Sequence, residues 1–311
     1  MYCGCPQGSN LGPLLFLIFY NDLPSFLDCA VDAYADDTTL TVTDDNIEDL
    51  GEKMTRNCEI VTDWMQGNRL KLNANKTHLL TVGTTERLRK QQSSVVVRMD
   101  GFVLKESEDK VETLLGIQVE PGLKWHKQVQ VLQDKLKKRL AGLTNLRNVL
   151  PYSLMKKVTE GIFTSVLVYC LPVFGGCDKY ELESLQVMQN KAARLVTNSP
   201  IRTSRKELFA QLDWLTVNQL VFYHSALTTY RIRASSEPEY LSNIMSRDNR
   251  AGRIIISNTT LSLAMKSYCY RGAYQWNSLP YSIRNIKRIG YFKSQIRIWI
   301  KINVSQFVAD T

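Results

Sequence analysis

Two neighbouring aspartates, Asp36 and Asp37, close the run Tyr34-Ala35-Asp36-Asp37 between two short segments, Cys29–Tyr34 and Thr38–Thr43. Thr38, Thr39, Thr41, Val42 and Thr43 are mostly β-branched and favour extended backbone, so the four residues are expected at the tip of a hairpin. Carboxylates held this close repel each other, and a site that keeps both ionised is favoured by bound cations. Hard oxygen donors of this kind suit Mg²⁺, which takes one or two carboxylates together with substrate phosphates. The competing reading is that Asp favours turns because it hydrogen-bonds its own backbone, and two can meet in a turn for that reason alone.

The elements that must hold such a tip can be read around it. Leu11–Leu27 is apolar nearly all round, with Pro13 near its start and Pro24 at its end, and is expected to form a buried helix. Asn46–Gly67 places Ile47, Leu50, Met54, Cys58, Val61, Trp64 and Met65 at helical spacing behind an Asp44/Asp45 cap. Thr77–Val82, Ser94–Met99 and Glu112–Val119 are strand candidates, with a turn at Asp100-Gly101. From Trp125 onward amphipathic helices take over: Val129–Leu150, Ser153–Tyr169, Lys179–Thr197, Ser204–Leu212, Thr216–Arg233 and, after weaker patterning, Lys287–Val304. Ser235-Ser236-Glu237-Pro238 marks a boundary. The fold class is therefore α+β, mixed at first and mainly helical afterwards.

Charge is distributed unevenly. Nine of the 30 acidic residues, and none of the 39 Lys and Arg, fall in the first fifty positions. An acidic head on a basic body suits a protein that holds cations at one place and a polyanion along the rest, although uneven surface composition alone produces such patterns too. The seven cysteines include no C-x-x-C pair and the three histidines stand apart, which argues against a zinc site. Most of the cysteines are expected to be buried and reduced, placing the chain in the nucleus or cytoplasm rather than outside the cell. Leu14–Tyr20 is too short to span a bilayer and follows no basic residue, so neither a membrane anchor nor a signal peptide is expected.

Three segments stand in order: Pro6-Gln7-Gly8-Ser9-Asn10-Leu11-Gly12-Pro13-Leu14-Leu15-Phe16, then Tyr34-Ala35-Asp36-Asp37, then Asn68-Arg69-Leu70-Lys71-Leu72-Asn73-Ala74-Asn75-Lys76-Thr77. Together they resemble the palm of reverse transcriptases from LINE-type, jockey-like non-LTR retrotransposons. Leu114-Leu115-Gly116-Ile117 with Leu123-Lys124-Trp125 is similar to that family's primer-gripping hairpin and its exit. Gln186, Asn190 and Arg194, Trp214-Leu215, Pro238-Glu239-Tyr240-Leu241 and Trp276-Asn277-Ser278-Leu279-Pro280 resemble its later landmarks.

The resemblance implies an RNA-directed DNA polymerase that extends a DNA primer on an RNA template by nucleotidyl transfer, using two Mg²⁺ ions, dNTPs and an element ribonucleoprotein. It divides the chain into a partial palm (1–122), a helical thumb-like region (123–234) and a C-terminal helical or irregular region (235–311). By the same resemblance Asp36 and Asp37 would hold metal, Tyr34 and Ala35 would lie against the primer end, and Gln7, Gly8 and Ser9 would border the incoming nucleotide. Leu115 and Gly116 would grip the primer, and Lys76 would neutralise the leaving pyrophosphate. Each role has a plain competitor: Gln7 and Ser9 as helix caps, Lys76 as a solvated charge, Leu115-Gly116 as a strand end, Trp276 as a packing residue.

Departures are visible too. The family's palm carries a further aspartate on a strand preceding the PQGS loop, whereas Met1 stands three residues before Gly4, so that carboxylate and the fingers are expected to be missing. Gln128 stands where many relatives carry His. The isolated chain is expected to be inactive, since misplacing a metal by about 1 Å can cost about a hundredfold in rate. The alternative is a basic nucleic-acid-binding remnant without chemistry. A splicing factor of reverse transcriptase descent fits less well, because Tyr34-Ala35-Asp36-Asp37 is intact.

Overall fold

The computed structural model describes residues 8–73, 76–90, 94–107, 109–246, 252–256 and 258–303. The chain divides into two compact units, residues 1–112 with 120–122 and residues 113–119 with 123–311.

The first unit is built on helix α1 (Gly12–Tyr20), the hairpin β1 (Ala30–Tyr34) and β2 (Asp37–Thr41), helix α2 (Ile47–Gly67), a short α3 (Thr85–Lys90), and the hairpin β3 (Val97–Met99) and β4 (Phe102–Leu104). All seven apolar positions read from α2's spacing enter its core, with Cys58 and Val61 fully buried against Leu79, Val97, Met99 and Leu104. The cap differs from expectation. Asn46, not Asp44 or Asp45, caps α2 by accepting from the Glu48 amide at 3.0 Å. Asp44 instead accepts from the Asn46 amide and pairs with Lys53, and these bonds hold its carboxyl below the usual range. Gly51 lets α2 approach β3, since a Cβ there would lie 2.8 Å from the Val96 carbonyl oxygen.

Asp100 and Gly101 both have positive φ and make the two-residue turn between β3 and β4 that their types predict. Thr77–Val82 does not form a strand. Only Leu79 makes an isolated bridge, to Glu106. The larger correction concerns α1, which was expected to be buried. Of its residues only Tyr20 is fully buried, while Leu14, Leu15, Leu17 and Ile18 are each more than half exposed. Its helix also ends at Tyr20, before a separate one-turn 3₁₀ segment, Leu23–Phe26, that contains Pro24.

The second unit begins with strands β5 (Glu112–Leu114, from its second residue) and β6 (Ile117–Val119), so the expected strand Glu112–Val119 is a hairpin folded at Leu115-Gly116. Helices α4 (His126–Leu146), α5 (Tyr152–Thr159), α6 (Ser165–Val168), α7 (Leu171–Phe174), α8 (Lys179–Thr197), α9 (Arg205–Leu212), α10 (Val217–Ser235), α11 (Glu239–Met245), α12 (Ser262–Lys266), α13 (Tyr268–Ser278), α14 (Tyr281–Arg284) and α15 (Ile289–Asn303) complete it. One core runs through the whole unit, from Val129 and Leu136 to Trp276, Phe292 and Ile296, so α11, α13, α14 and α15 share the packing of α10. Between α5 and α6, Glu160–Thr164 makes one π-helical turn.

Several polar landmarks are structural here. Buried Gln186 accepts from the Val217 amide at 2.8 Å and donates to Gln189 and Asn190, and Gln189 donates to the Leu215 carbonyl at 2.9 Å. These bonds pin the α9–α10 connection onto α8 and satisfy an amide at the α10 N-terminus that no helical carbonyl can reach. Trp276 packs in the core beneath the Arg233 guanidinium, 5.2 Å from the ring centre.

Candidate functional site

The hairpin of β1 and β2 brings Tyr34, Ala35, Asp36 and Asp37 together, with Tyr34 paired to Asp37 and Ala35-Asp36 as the two-residue turn. Ala35 sits at φ 54°, the left-handed region that costs a residue with a Cβ about 1–2 kcal/mol. Strain of that kind persists where the surroundings hold it, and it clusters at functional turns. Tyr34, Asp36 and Asp37 are all exposed. The two carboxylates therefore face solvent rather than being drawn into a buried ion pair.

The tip is held from one side. Tyr20, at the end of α1, is buried and its hydroxyl lies 2.5 Å from that of Thr38 in β2. Phe16 and Trp64 pack on the Tyr20 ring, linking α1 and α2 at the same point. Asn57 of α2 accepts from the Asp28 amide at 3.0 Å, just ahead of β1.

Ahead of α1, Gly8 has φ 83° with no atom within 4 Å of where a Cβ would stand, and Ser9 accepts from the Leu11 amide at 3.3 Å. Ser9 thus makes a local turn bond ahead of α1, whose N-cap Leu11 has no side-chain cap. Gln7 lies outside the described residues. Lys76 is exposed, and its amide closes a local turn onto the Asn73 carbonyl at 2.9 Å.

Among the described residues no three His, Cys, Asp or Glu side chains gather as a metal-binding group. The tip supplies two hard carboxylate donors, which fits the chemistry of Mg²⁺ bound mainly through substrate phosphates and water. Those two donors alone do not make a two-ion site.

Leu115 and Gly116 belong to the second unit. Both have positive φ, 47° and 81°, and together form the turn between β5 and β6. Two contacts that the sequence did not announce fix this hairpin. Buried Gln128, in the first turn of α4, accepts from the Gln118 amide at 2.9 Å. Tyr169, between α6 and α7, donates its hydroxyl to the Leu115 carbonyl at 2.7 Å. Gln128 was legible only as a departure from His, and Tyr169 carried no signal.

The reverse transcriptase (RNA-dependent DNA polymerase) family model matches residues 1–140, the stretch holding every candidate residue named above except Tyr169. Over residues 1–140 the chain is similar to reverse transcriptases. Relatives extend the likeness beyond that segment. The chain is 24% identical over 208 residues to the RNA-directed DNA polymerase from mobile element jockey of Drosophila melanogaster, covering 63% of this chain and 22% of that protein. It is 24% identical over 246 residues to the probable RNA-directed DNA polymerase from transposon BS of the same organism, covering 75% and 26%. The counterpart from transposon X-element is 23% identical over 260 residues, covering 81% and 28%. The chain thus spans about a quarter of the length of the curated relatives it matches. No solved structure matches it. No helix of the described residues is long and apolar enough to cross a membrane.

Proposed function

We propose that the chain is the part of an RNA-directed DNA polymerase that carries the catalytic turn, with residues 1–122 as partial palm and the helices after residue 122 as thumb and C-terminal region. The observation that carries the reading is the exposed Asp36-Asp37 pair on a strained hairpin tip within the family-matched segment. Asp36 and Asp37 would hold Mg²⁺, which when bound neutralises phosphate charge and acidifies the primer 3′-hydroxyl. Ala35 keeps side-chain bulk off the tip, and Tyr34 offers an exposed ring to the primer end. Gln7, Gly8 and Ser9 would border the nucleotide, and Lys76 would meet the leaving pyrophosphate. Template RNA, DNA primer and dNTPs are the partners, within the element's ribonucleoprotein.

A second, compatible property is polyanion binding without chemistry. Lys135, Lys138, Arg139 and Arg147 lie exposed on or just past α4, while Val129, Leu132, Leu136 and Leu143 of the same helix are buried. Exposed cations of this kind can bind phosphates, with an affinity that falls steeply with salt.

The test uses Mn²⁺ as a paramagnetic stand-in for Mg²⁺. Broadening of backbone signals at residues 34–37, abolished in Asp36→Asn, is expected. Mn²⁺ broadening elsewhere, or unchanged in the variant, would overturn the catalytic-turn reading. With dTTP, Mg²⁺ and an oligo(dT)–poly(rA) duplex, the isolated chain is expected to incorporate nothing, because two carboxylates alone position the ion poorly. Incorporation that Asp36→Asn abolishes would overturn the inactivity and strengthen the polymerase reading.

A further inference from the structure

Tyr169 stands where the helical run of α5, the π turn and α6 breaks. Its own ψ is 121°, and Cys170 after it is left-handed at φ 52°. The side chain is thrown outward and is 52% exposed, so it is not held there by burial. What it touches is the β5–β6 turn. Besides the bond to the Leu115 carbonyl, its ring and hydroxyl lie 3.8 and 3.9 Å from where a Cβ on Gly116 would stand.

The π turn at Glu160–Thr164 bears on this contact. One extra residue in a helix advances every later side chain by about 100° around the axis, since a turn holds about 3.6 residues. The bulge therefore sets the phase at which Tyr169 leaves the helix. Glu160, the first residue of the bulge, is itself fixed by accepting from the Trp214 indole at 2.9 Å.

Leu115 at φ 47° is a branched aliphatic residue in a conformation that a free two-residue turn would give to Asn, Asp or Gly. A hydroxyl bound to its carbonyl orients the strained peptide and satisfies it. Leu114 just before the tip and Leu115 within it stay exposed, and Gly116 adds no side chain. We infer that Tyr169 is a positioning residue, whose hydroxyl holds the Leu115-Gly116 turn in the one conformation that receives the terminal nucleotide of a nucleic-acid strand. The inference rests on the polymerase reading above and names a residue outside the segment matched by the family model.

The test keeps the full chain and uses a recessed DNA primer on an RNA template, with 2-aminopurine as the primer's last base and a dye at its other end. Dye anisotropy reports total binding, and 2-aminopurine fluorescence reports the terminal nucleotide. In Tyr169→Phe the terminal signal is expected to weaken, by at most roughly 3- to 10-fold, while total affinity stays within about twofold, because phosphate contacts elsewhere dominate it. Amide exchange across residues 113–118 should rise roughly 3- to 10-fold, the effect of losing one neutral hydrogen bond. A wild-type terminal signal in Tyr169→Phe would overturn the inference. Faster exchange spread over the whole second unit would also overturn it, by making Tyr169 an ordinary packing residue. If the wild-type chain itself binds the duplex but gives no terminal signal, the primer-gripping reading of the hairpin fails first and the role of Tyr169 falls with it.

Discussion

Replacing Gln128 by alanine should loosen the β5–β6 hairpin at its base. Gln128 is 6% exposed, and its side-chain oxygen accepts from the Gln118 amide at 2.9 Å. Losing that bond costs about 1 kcal/mol, and leaving a half-buried amide unpaired adds about 1 kcal/mol, the low end of the penalty for a buried donor. One methylene leaving the interior removes about 0.8 kcal/mol more. The second unit should therefore lose about 3 kcal/mol in all. The two hydrogen-bond contributions alone should speed exchange of the Gln118 amide by roughly 30-fold. Gln128→Glu keeps an acceptor at the same place, and the first turn of a helix favours negative charge by about 0.3–1 kcal/mol. It should therefore keep exchange of the Gln118 amide slow, although burying a carboxylate lowers the stability of the unit. Denaturant unfolding followed by Trp fluorescence, together with amide exchange of residues 112–119, measures both quantities. Unchanged exchange at Gln118 in the alanine variant would refute the argument, because the amide would then be satisfied by something other than Gln128.

In the first unit, Gly51→Ala should destabilise the packing of α2 on β3 by about 1–3 kcal/mol, since its Cβ meets a backbone oxygen that cannot swing aside. Loss of protection confined to Val95–Met99 in amide exchange would confirm it. In the second unit Asp213 is held below its usual pKa, chiefly by the Lys301 ammonium and also by Arg297, and Asp178 is lowered chiefly by Lys266. A depressed carboxylate contributes stability that is complete above its unfolded pKa of about 3.9 and disappears as pH falls through the folded value. Melting temperature should thus drop more steeply below about pH 4 than above it, and Asp213→Asn should flatten that drop. The effect should shrink in high salt because Asp213 is largely exposed.

Long amphipathic helices and two-residue turns were the legible parts of this fold. α2 and α8 follow from apolar spacing because one face of each is buried along its whole length. The Asp100-Gly101 turn follows from residue types that tolerate positive φ. The Leu115-Gly116 turn was harder, since only one of its residues is of the expected type, and a run of eight residues then reads as one strand. Thr77–Val82 misled for a different reason: β-branched residues favour extension, but extension becomes a strand only when a partner edge lies alongside. At the candidate site, Asp36 and Asp37 were legible from chemistry and order along the chain. Tyr169 was not, because its meaning depends on a π turn that no residue pattern marked and on a contact across 54 positions.

The face of α1 bearing Leu14, Leu15, Leu17 and Ile18 has a practical consequence at the bench. Four large aliphatic side chains on one short helix invite self-association at high protein concentration, and salts such as sulfate that strengthen apolar burial should promote it. Raising ionic strength to probe phosphate contacts then works in two directions, releasing the polyanion while driving chains together. Light scattering recorded alongside any salt titration separates the two, and Leu14→Lys with Ile18→Lys offers a more dispersible form in which Asp36, Asp37 and Tyr169 are untouched.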